Sequence, residues 1–160
     1  MPAQSIHEAA RKGDLEKVSF LLQADPGLIA SLDEYFWTPL HEAAQSGRKE
    51  VAALLIASGA NLYAKTSIGD TPLHLAAVCN RADIIELLLA AKVDIAVRGE
   101  RGATPLHKAA MGGATEAAKV LLAHGAYVLA EAEHKSTPRQ WAGTAAEYED
   151  VVELLISHGG

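Results

Sequence analysis

The sequence predicts an all-α fold, a solenoid of short helix-turn-helix units stacked in a row. Two observations predict it: a motif that returns at a fixed interval, and an apolar segment at helical spacing after each copy of the motif. A third observation, polar residues in place of apolar ones in the first and last copies, predicts where the row ends. With 160 residues, the chain is long enough to bury a substantial core as one domain.

The motif has four clear copies and one weaker copy. The clear ones are "TPLHEAAQSG", "TPLHLAAVCN", "TPLHKAAMGG" and "TPRQWAGTAA", which begin 33 residues apart at Thr38, Thr71, Thr104 and Thr137. The weaker copy is "SIHEAARKG", in which His7 lies 34 residues before His41. A constant period of this length is typical of proteins built from stacked structural repeats.

Each unit is predicted to form a turn followed by two short helices. The Thr side chain can accept a hydrogen bond from a free backbone N–H at a helix start, and the next residue, Pro, suits the first helical turn. Apolar residues such as Val51, Leu54 and Leu55 recur at helical spacing in the second segment. Between the two helices, one position holds a residue suited to a left-handed turn: Gly13, Gly47, Asn80 or Gly113.

The repeat pattern also predicts how the second helices end and where the row of units ends. Lys92 stands where Gly59 and Gly125 close the second helix, and a positive φ there would cost on the order of 1 kcal/mol. Lys17 replaces an apolar residue in the first unit, as Arg139 does in the last, and a terminal unit needs such a polar cap. We therefore expect a single domain, 1–160, complete with five repeats at about 4–37, 38–70, 71–103, 104–136 and 137–160.

The pattern "G-x-TPLHxAAxxG…LL…GA", complete from Gly69 to Ala126, resembles the ankyrin repeat, and the resemblance covers essentially the whole chain. It implies L-shaped repeats with antiparallel helix pairs. It also implies that the segments between repeats project as β-hairpin fingers. The fingers and the first helices would then line a concave groove.

Composition excludes several classes of function. The net charge of −6 argues against a nucleic-acid partner, which would select a basic face. No apolar run is long enough for a membrane span, and the first residues become charged too soon for a secretory signal peptide. A single cysteine, Cys79, allows no intrachain disulfide. We expect a cytoplasmic chain with no membrane partner.

The histidines and carboxylates do not predict chemistry. His7, His41, His74 and His107 lie one repeat apart, which is about 10 Å in packed helices, whereas zinc needs its ligands near 2 Å. We expect them to hydrogen-bond backbone groups at the finger bases. Cys79 lacks the context of a nucleophile, and the clustered carboxylates lack the alternation of a calcium loop. No catalytic residue, metal site or cofactor is predicted.

Function in a solenoid is carried by positions that repeat in place and vary in identity. Here these are the fingers and the residues just before each inter-helix turn. The predicted partner-binding residues are Tyr35, Phe36, Trp37, Gln45, Ser46, Lys65, Ile68, Asp70, Val78, Arg98, Glu100, Arg101, Met111, Glu133 and His134. For His134, an idle solvated side chain is an equal alternative.

The aromatic triplet Tyr35–Phe36–Trp37 is the strongest candidate. Trp37 precedes the Thr38 cap, and the position against which it would pack as a hydrophobic staple holds the polar Glu42. The triplet is therefore predicted to be a surface anchor of the kind that dominates binding interfaces. The alternative is that one or two of the rings fold back to shield the finger base.

The predicted function is a non-enzymatic module that binds another protein through the concave face. Charges along that face change sign, acidic at the first finger, basic at Arg98 and Arg101, and acidic again at Glu131 and Glu133, which favours a specific protein partner. Two alternatives use the same surface: a regulatory or inhibitory subunit of an enzyme, and a self-associating scaffold. We expect a monomer.

Overall fold

The structure is a computed structural model. It describes the backbone of residues 2–144 and 146–160 and the side chains of residues 6–144 and 146–160. Over this range the chain forms ten α-helices in five consecutive pairs. They are α1 (Pro2–Lys12), α2 (Leu15–Ala24), α3 (Pro39–Ser46), α4 (Lys49–Ala57), α5 (Pro72–Val78), α6 (Ala82–Ala90), α7 (Pro105–Met111), α8 (Thr115–Ala123), α9 (Pro138–Trp141) and α10 (Glu149–Ser157).

The helices stack in two layers. The first helices of the pairs pack in the order α1, α3, α5, α7 and α9, and the second helices pack in the order α2, α4, α6, α8 and α10. Paired alanines such as Ala76 and Ala77 are fully buried in the first layer, where a small side chain allows two helices to approach closely. Leu55, Leu88 and Leu121 are fully buried in the second layer. The predicted all-α solenoid is confirmed.

The predicted helix start is confirmed at the Thr-Pro motif. The Thr38 side chain accepts a hydrogen bond from the His41 N–H, and His41 Nδ1 accepts one from the Thr38 N–H at 3.0 Å. This reciprocal capping satisfies two backbone donors that a helix start would otherwise leave unpaired. Thr137 forms the same box with Gln140, whose Oε1 accepts the Thr137 N–H at 2.8 Å.

The predicted turn residues adopt the left-handed conformation. Between the helices of a pair, φ is 82° at Gly13, 68° at Gly47, 55° at Asn80 and 61° at Gly113. Lys92 has a φ of 66° where Gly59 and Gly125 have 88° and 89°. This lysine therefore carries the backbone strain that its position predicts.

The fingers differ from the prediction because they contain no strand within the described residues. Each is a tight turn in which the N–H of the first residue donates to the carbonyl of the residue that precedes the Thr cap, and the carbonyl of the first residue accepts from the N–H of the fourth. The bonds from the first N–H run from Asp33 to Trp37 (3.0 Å), Thr66 to Asp70 (2.9 Å), Gly99 to Ala103 (2.9 Å) and Ala132 to Ser136 (2.8 Å). Five residues closed in this way are too few to form a paired ladder, so the predicted β-hairpins are wrong in detail.

The repeated histidines attach each finger to the helix before it. His7, His41, His74 and His107 donate from Nε2 to the carbonyls of Trp37 (2.8 Å), Asp70 (3.3 Å), Ala103 (3.0 Å) and Ser136 (3.0 Å). These are the same carbonyls that close the fingers. The expected structural role of the histidines is confirmed, and it fixes where each finger stands on the solenoid.

Candidate functional site

The fingers and the first helices form two open grooves. The first-finger groove has a volume of about 980 Å³ and is lined by His7, Glu8, Arg11, Leu32, Asp33, Glu34, Tyr35, Trp37, Glu42, Gln45, Ser67 and Ile68. The last-finger groove has a volume of about 430 Å³ and is lined by Glu100, Arg101, Met111, Glu133, His134, Ser136, Gln140 and Trp141.

Asp33 organises the first finger. Its Oδ1 accepts hydrogen bonds from the N–H groups of Tyr35 and Trp37, both at 2.8 Å. Between those two residues Phe36 has a φ of 62°, at the place where Gly69 and Gly102 have positive φ in later fingers. A bulky residue in this conformation costs about 1 to 2 kcal/mol. The fold thus holds a strained aromatic residue at the finger tip.

The aromatic triplet divides between surface and finger base. Tyr35 and Phe36 are 59% and 55% exposed, as predicted for surface anchors. Trp37 is half-buried, with its ring centroid 6.2 Å from that of His41. Trp37 therefore shields the finger base, as the alternative interpretation allowed, although it also lines the first-finger groove.

The second finger extends the apolar surface of the first. Ile68 is 55% exposed and lines the same groove as Tyr35. The Ser67 N–H donates to the Tyr35 carbonyl at 3.1 Å, so a backbone hydrogen bond joins the two fingers. Tyr35 and Ile68 are thus held side by side.

Asp70 is not a surface residue, which corrects the prediction for it. Its side chain is 3% exposed, and Oδ2 lies 2.7 Å from the ammonium of Lys108, whose side chain is equally buried. Glu100 contributes Oε2 at 2.6 Å from the same ammonium and donates its N–H to Asp70 Oδ1 at 2.9 Å. A buried lysine needs such counter-charges, so Asp70 is committed to the fold.

Close packing reinforces this ion cluster. A Cβ placed on Gly99 would lie 2.5 Å from Asp70 Oδ1 and 2.8 Å from His74 Nε2. Any side chain at position 99 would therefore displace the carboxylate. Sequence reasoning missed Lys108, which occupies the variable position of "TPLHxAA"; the available signal was an opposite charge in the preceding fingers.

The third and fourth fingers are joined by their charged side chains. Arg98 Nη1 donates to the Glu131 carbonyl at 2.7 Å, and Arg101 Nε lies 2.8 Å from Glu133 Oε2. The Arg101 guanidinium also lies 5.7 Å from the Trp141 ring centroid, within range of a cation–π contact. The predicted basic residues are exposed, but they already contact neighbours within the chain.

The structure brings some of the predicted residues together and leaves others apart. Tyr35, Trp37, Gln45 and Ile68 line the first-finger groove; Glu100, Arg101, Met111, Glu133 and His134 line the last-finger groove. Phe36 stands at the tip beside the first groove. Besides Phe36, five predicted residues line neither groove: Ser46, Lys65, Asp70, Val78 and Arg98.

The first-finger groove is acidic. Glu8, Asp33, Glu34 and Glu42 line it against one guanidinium, that of Arg11. Burial raises the pKa of Glu42. The positive charge of Arg11 lowers this pKa in part, and the negative charge of Asp33 raises it further.

Outside this groove, burial raises the pKa of the Cys79 thiol and lowers the pKa of His74 and of His107. In residues 2–144 and 146–160, no three His, Cys, Asp or Glu side chains are grouped so that they could hold a metal ion.

No helix in the described part of the chain has the length and apolar character needed to cross a membrane.

The chain is similar in sequence to the 2-5A-dependent ribonuclease of Mus musculus (37% identity over 67 residues, 42% of this chain and 9% of that protein). It is also similar to human protein phosphatase 1 regulatory subunit 27 (39% over 66 residues, 41% and 42%) and to human ankyrin repeat domain-containing protein 49 (38% over 65 residues, 41% and 27%).

In each case the chain spans less than half of the relative's own length. The profile described as "Ankyrin repeats (3 copies)" matches residues 6–99 and again 93–160. These two matches cover nearly the entire chain, over the same residues in which the helix pairs stack. The chain therefore belongs to the ankyrin repeat family.

Proposed function

We propose that this chain is a protein-binding module whose contact surface is the concave face, anchored on the first two fingers. Ankyrin repeats are protein-interaction modules and are generally non-enzymatic. One observation carries the location: Tyr35, Phe36 and Ile68 are large apolar side chains that are all more than half exposed on adjacent fingers. Aromatic side chains in such a position supply most of the binding energy in many interfaces.

Backbone strain at Phe36 supports the same location. Its φ of 62° and its exposed ring both oppose stability, since a glycine there would remove the strain and the apolar surface together. Strained residues of this kind concentrate at functional sites. Contact with a partner would bury the Phe36 ring and offset that cost.

The mechanism we propose is pre-organisation. Asp33 holds the backbone of the first finger, the Ser67–Tyr35 hydrogen bond joins it to the second, and the row of histidines ties both to the helices. Side chains held in place before docking lose little conformational entropy on binding. We further propose that the chain is one domain of five repeats and acts as a monomer. We place it in the cytoplasm, because a single free thiol whose pKa is raised by burial suits a reducing compartment.

A second candidate is a regulatory subunit of an enzyme. It is favoured by the similarity to a protein named as a phosphatase regulatory subunit, which this chain matches over 66 residues. The same surface would then bind one catalytic partner, and the two candidates differ only in the identity of the protein that is captured.

Capture from a lysate of the source cell tests the proposal, with three baits compared by quantitative mass spectrometry. The baits are the native chain, Tyr35→Ala, and Tyr127→Ala as a matched control, because Tyr127 is 68% exposed and lines neither groove. We expect a protein that the native and Tyr127→Ala baits retain and that Tyr35→Ala loses. Equal retention by all three baits would contradict the proposed surface. Stoichiometric capture of one enzyme would favour the second candidate.

A further inference from the structure

Resting on the proposed function, we infer that the first-finger groove accepts a protein segment that presents a Lys or Arg side chain next to a large apolar side chain. The segment's apolar side chain would lie between Tyr35 and Ile68, and its cation would reach Glu42. The inference depends on three features of this groove: its apolar wall, its charge, and the environment of Glu42.

The apolar wall is continuous across the two fingers. Leu32, Tyr35 and Ile68 are all exposed and all line the groove. Half-buried Trp37 lies in the same groove, with its ring near His41. These side chains form a surface on which an apolar side chain of a partner can lose contact with water. Aromatic faces also attract cations, so a basic neighbour is compatible with this wall.

The charge of the groove selects the basic neighbour. Of its four carboxylates, Glu8 is paired with Lys12 at 2.6 Å, and Asp33 Oδ1 is occupied by two backbone N–H groups. Glu34 and Glu42 remain, and among the side chains that the structure describes, Arg11 is the sole arginine or lysine lining the groove. The groove is therefore negative where a partner would dock. Complementary charge across an interface favours cationic partners and opposes acidic ones.

Glu42 stands at a position for which the same fold supplies counter-charges elsewhere. In the "TPLHxAA" motif, Glu42 occupies the place of Lys108. The ammonium of Lys108 lies between Asp70 and Glu100, at 2.7 Å and 2.6 Å. Within the described part of the chain, the half-buried carboxylate of Glu42 has neither an ion pair within 4 Å nor a hydrogen-bond donor. A cation on a partner would give Glu42 a counter-charge, as Asp70 and Glu100 give Lys108 its counter-charges.

Two further facts agree with a missing cation. Glu34 occupies the repeat position of Glu100, as Glu42 occupies that of Lys108. The first finger and α3 therefore carry two carboxylates where the third finger and α7 carry a carboxylate and an ammonium. Burial raises the pKa of Glu42 by more than the nearby Arg11 and His7 lower it, so these two groups do not fully offset the cost of removing the carboxylate from water. A second copy of this chain is a poor occupant, because its net charge of −6 would repel the acidic groove.

The test uses phage-displayed random short peptides selected on the purified chain. We expect enrichment of peptides in which Lys or Arg lies within a few residues of a large apolar side chain. One selected peptide is then labelled, and its affinity is measured by fluorescence anisotropy. The variants are Glu42→Gln and, as the control, Glu116→Gln, a residue paired with Lys119 on α8 outside the groove.

Glu42→Gln should lower the affinity for the peptide about tenfold and make that affinity less dependent on salt concentration. Glu116→Gln should leave both the affinity and its salt dependence unchanged. A charge swap separates direct contact from a structural effect. Glu42→Lys should lose the native peptide and regain binding when the peptide's basic residue is replaced by Glu. Urea unfolding of each variant checks that the fold is retained.

Peptides without excess Lys or Arg, or peptides that bind Glu42→Gln as tightly as the native chain, would overturn the inference. If such peptides still lose affinity on Tyr35→Ala, the proposed binding surface stands and only its charge preference fails. Peptides that are indifferent to both Glu42→Gln and Tyr35→Ala would count against the inference and against the proposed surface. A selection that yields no groove-dependent peptide overturns the inference as well.

Discussion

The ammonium of Lys108 lies 2.7 Å from Oδ2 of Asp70, and both side chains are 3% exposed. Glu100 closes the cluster, because its Oε2 lies 2.6 Å from the same ammonium and its N–H donates to Asp70. Asp70 and Glu100 belong to consecutive fingers, and Lys108 lies on the helix that follows them. The cluster therefore fixes two fingers and one helix relative to each other.

Lys108→Ala should lower the free energy of unfolding by about 3 kcal/mol, since it leaves the Asp70 carboxylate buried without a cation. Urea denaturation monitored by circular dichroism measures this change. Glu100→Gln is the matched control, and it should cost about 1 kcal/mol or less because the Glu100 side chain is 37% exposed. If the two variants lose the same stability, the buried pair is not what holds the fingers.

Lys92→Gly should raise the free energy of unfolding by about 1 kcal/mol, because Lys92 has a φ of 66° at a position where glycine occurs in two other repeats. Thermal or urea unfolding measures the change. Lys119→Gly provides the comparison: it places glycine inside α8, at helical φ, and should lower stability by a similar amount. A loss of stability in Lys92→Gly would show that the backbone strain there is not significant.

Phe36→Gly should separate stability from binding. The substitution relieves a positive φ and should stabilise the chain by about 1 kcal/mol, yet it removes a ring that we place in the interface. Unfolding in urea and affinity for the captured partner are measured on the same sample. Phe20→Ala, an exposed ring on helical backbone in α2, should change neither by much. A destabilised Phe36→Gly would mean that the ring supports the fold.

Stability should fall as the pH drops below about 6.5. Burial lowers the pKa of His41 from 6.5 to about 4, and the pKa values of His74 and His107 shift in the same direction. The unfolded chain therefore binds more protons than the folded chain between these values. The stability that neutral His41 contributes is complete above pH 6.5 and is lost progressively toward pH 4, by about 3 kcal/mol.

Urea midpoints measured from pH 7 to pH 4 test this dependence. His41→Gln should reduce it while keeping the helix cap, because Gln140 already makes the equivalent cap in the last repeat at 2.8 Å. His134→Gln is the control, since the His134 side chain is 79% exposed. A native chain whose stability is constant over this pH range would contradict the assigned role of the buried histidines.

Much of the fold follows from local chemistry that a sequence displays. Thr38 and Pro39 predict a helix start because capping involves only neighbouring residues, and Gly47 and Asn80 predict left-handed turns for the same reason. The spacing of the histidines predicted a structural role, and their bonds to the finger carbonyls confirm it. In each case the deciding contact recurs in four of the repeats.

The candidate site was harder to predict because its contacts do not recur. Asp70 was predicted to be a surface residue, yet it is buried against Lys108, which lies 38 positions later in the chain. Trp37 was expected at the surface because its usual packing partner is replaced by Glu42, yet the ring lies near His41 instead. The position of Glu42 in a groove depends on how two fingers stand relative to α3, and only the assembled repeats reveal that relation.

The most direct test of the account is a titration of the captured partner against the native chain and Tyr35→Ala, with Tyr127→Ala as the control. We predict that Tyr35→Ala raises the dissociation constant about thirtyfold. This is a loss of about 2 kcal/mol of binding free energy, which is typical of a buried aromatic anchor. Tyr127→Ala should bind like the native chain. A Tyr35→Ala chain that is fully folded and binds the partner with native affinity would contradict the central claim that the first two fingers anchor the interface.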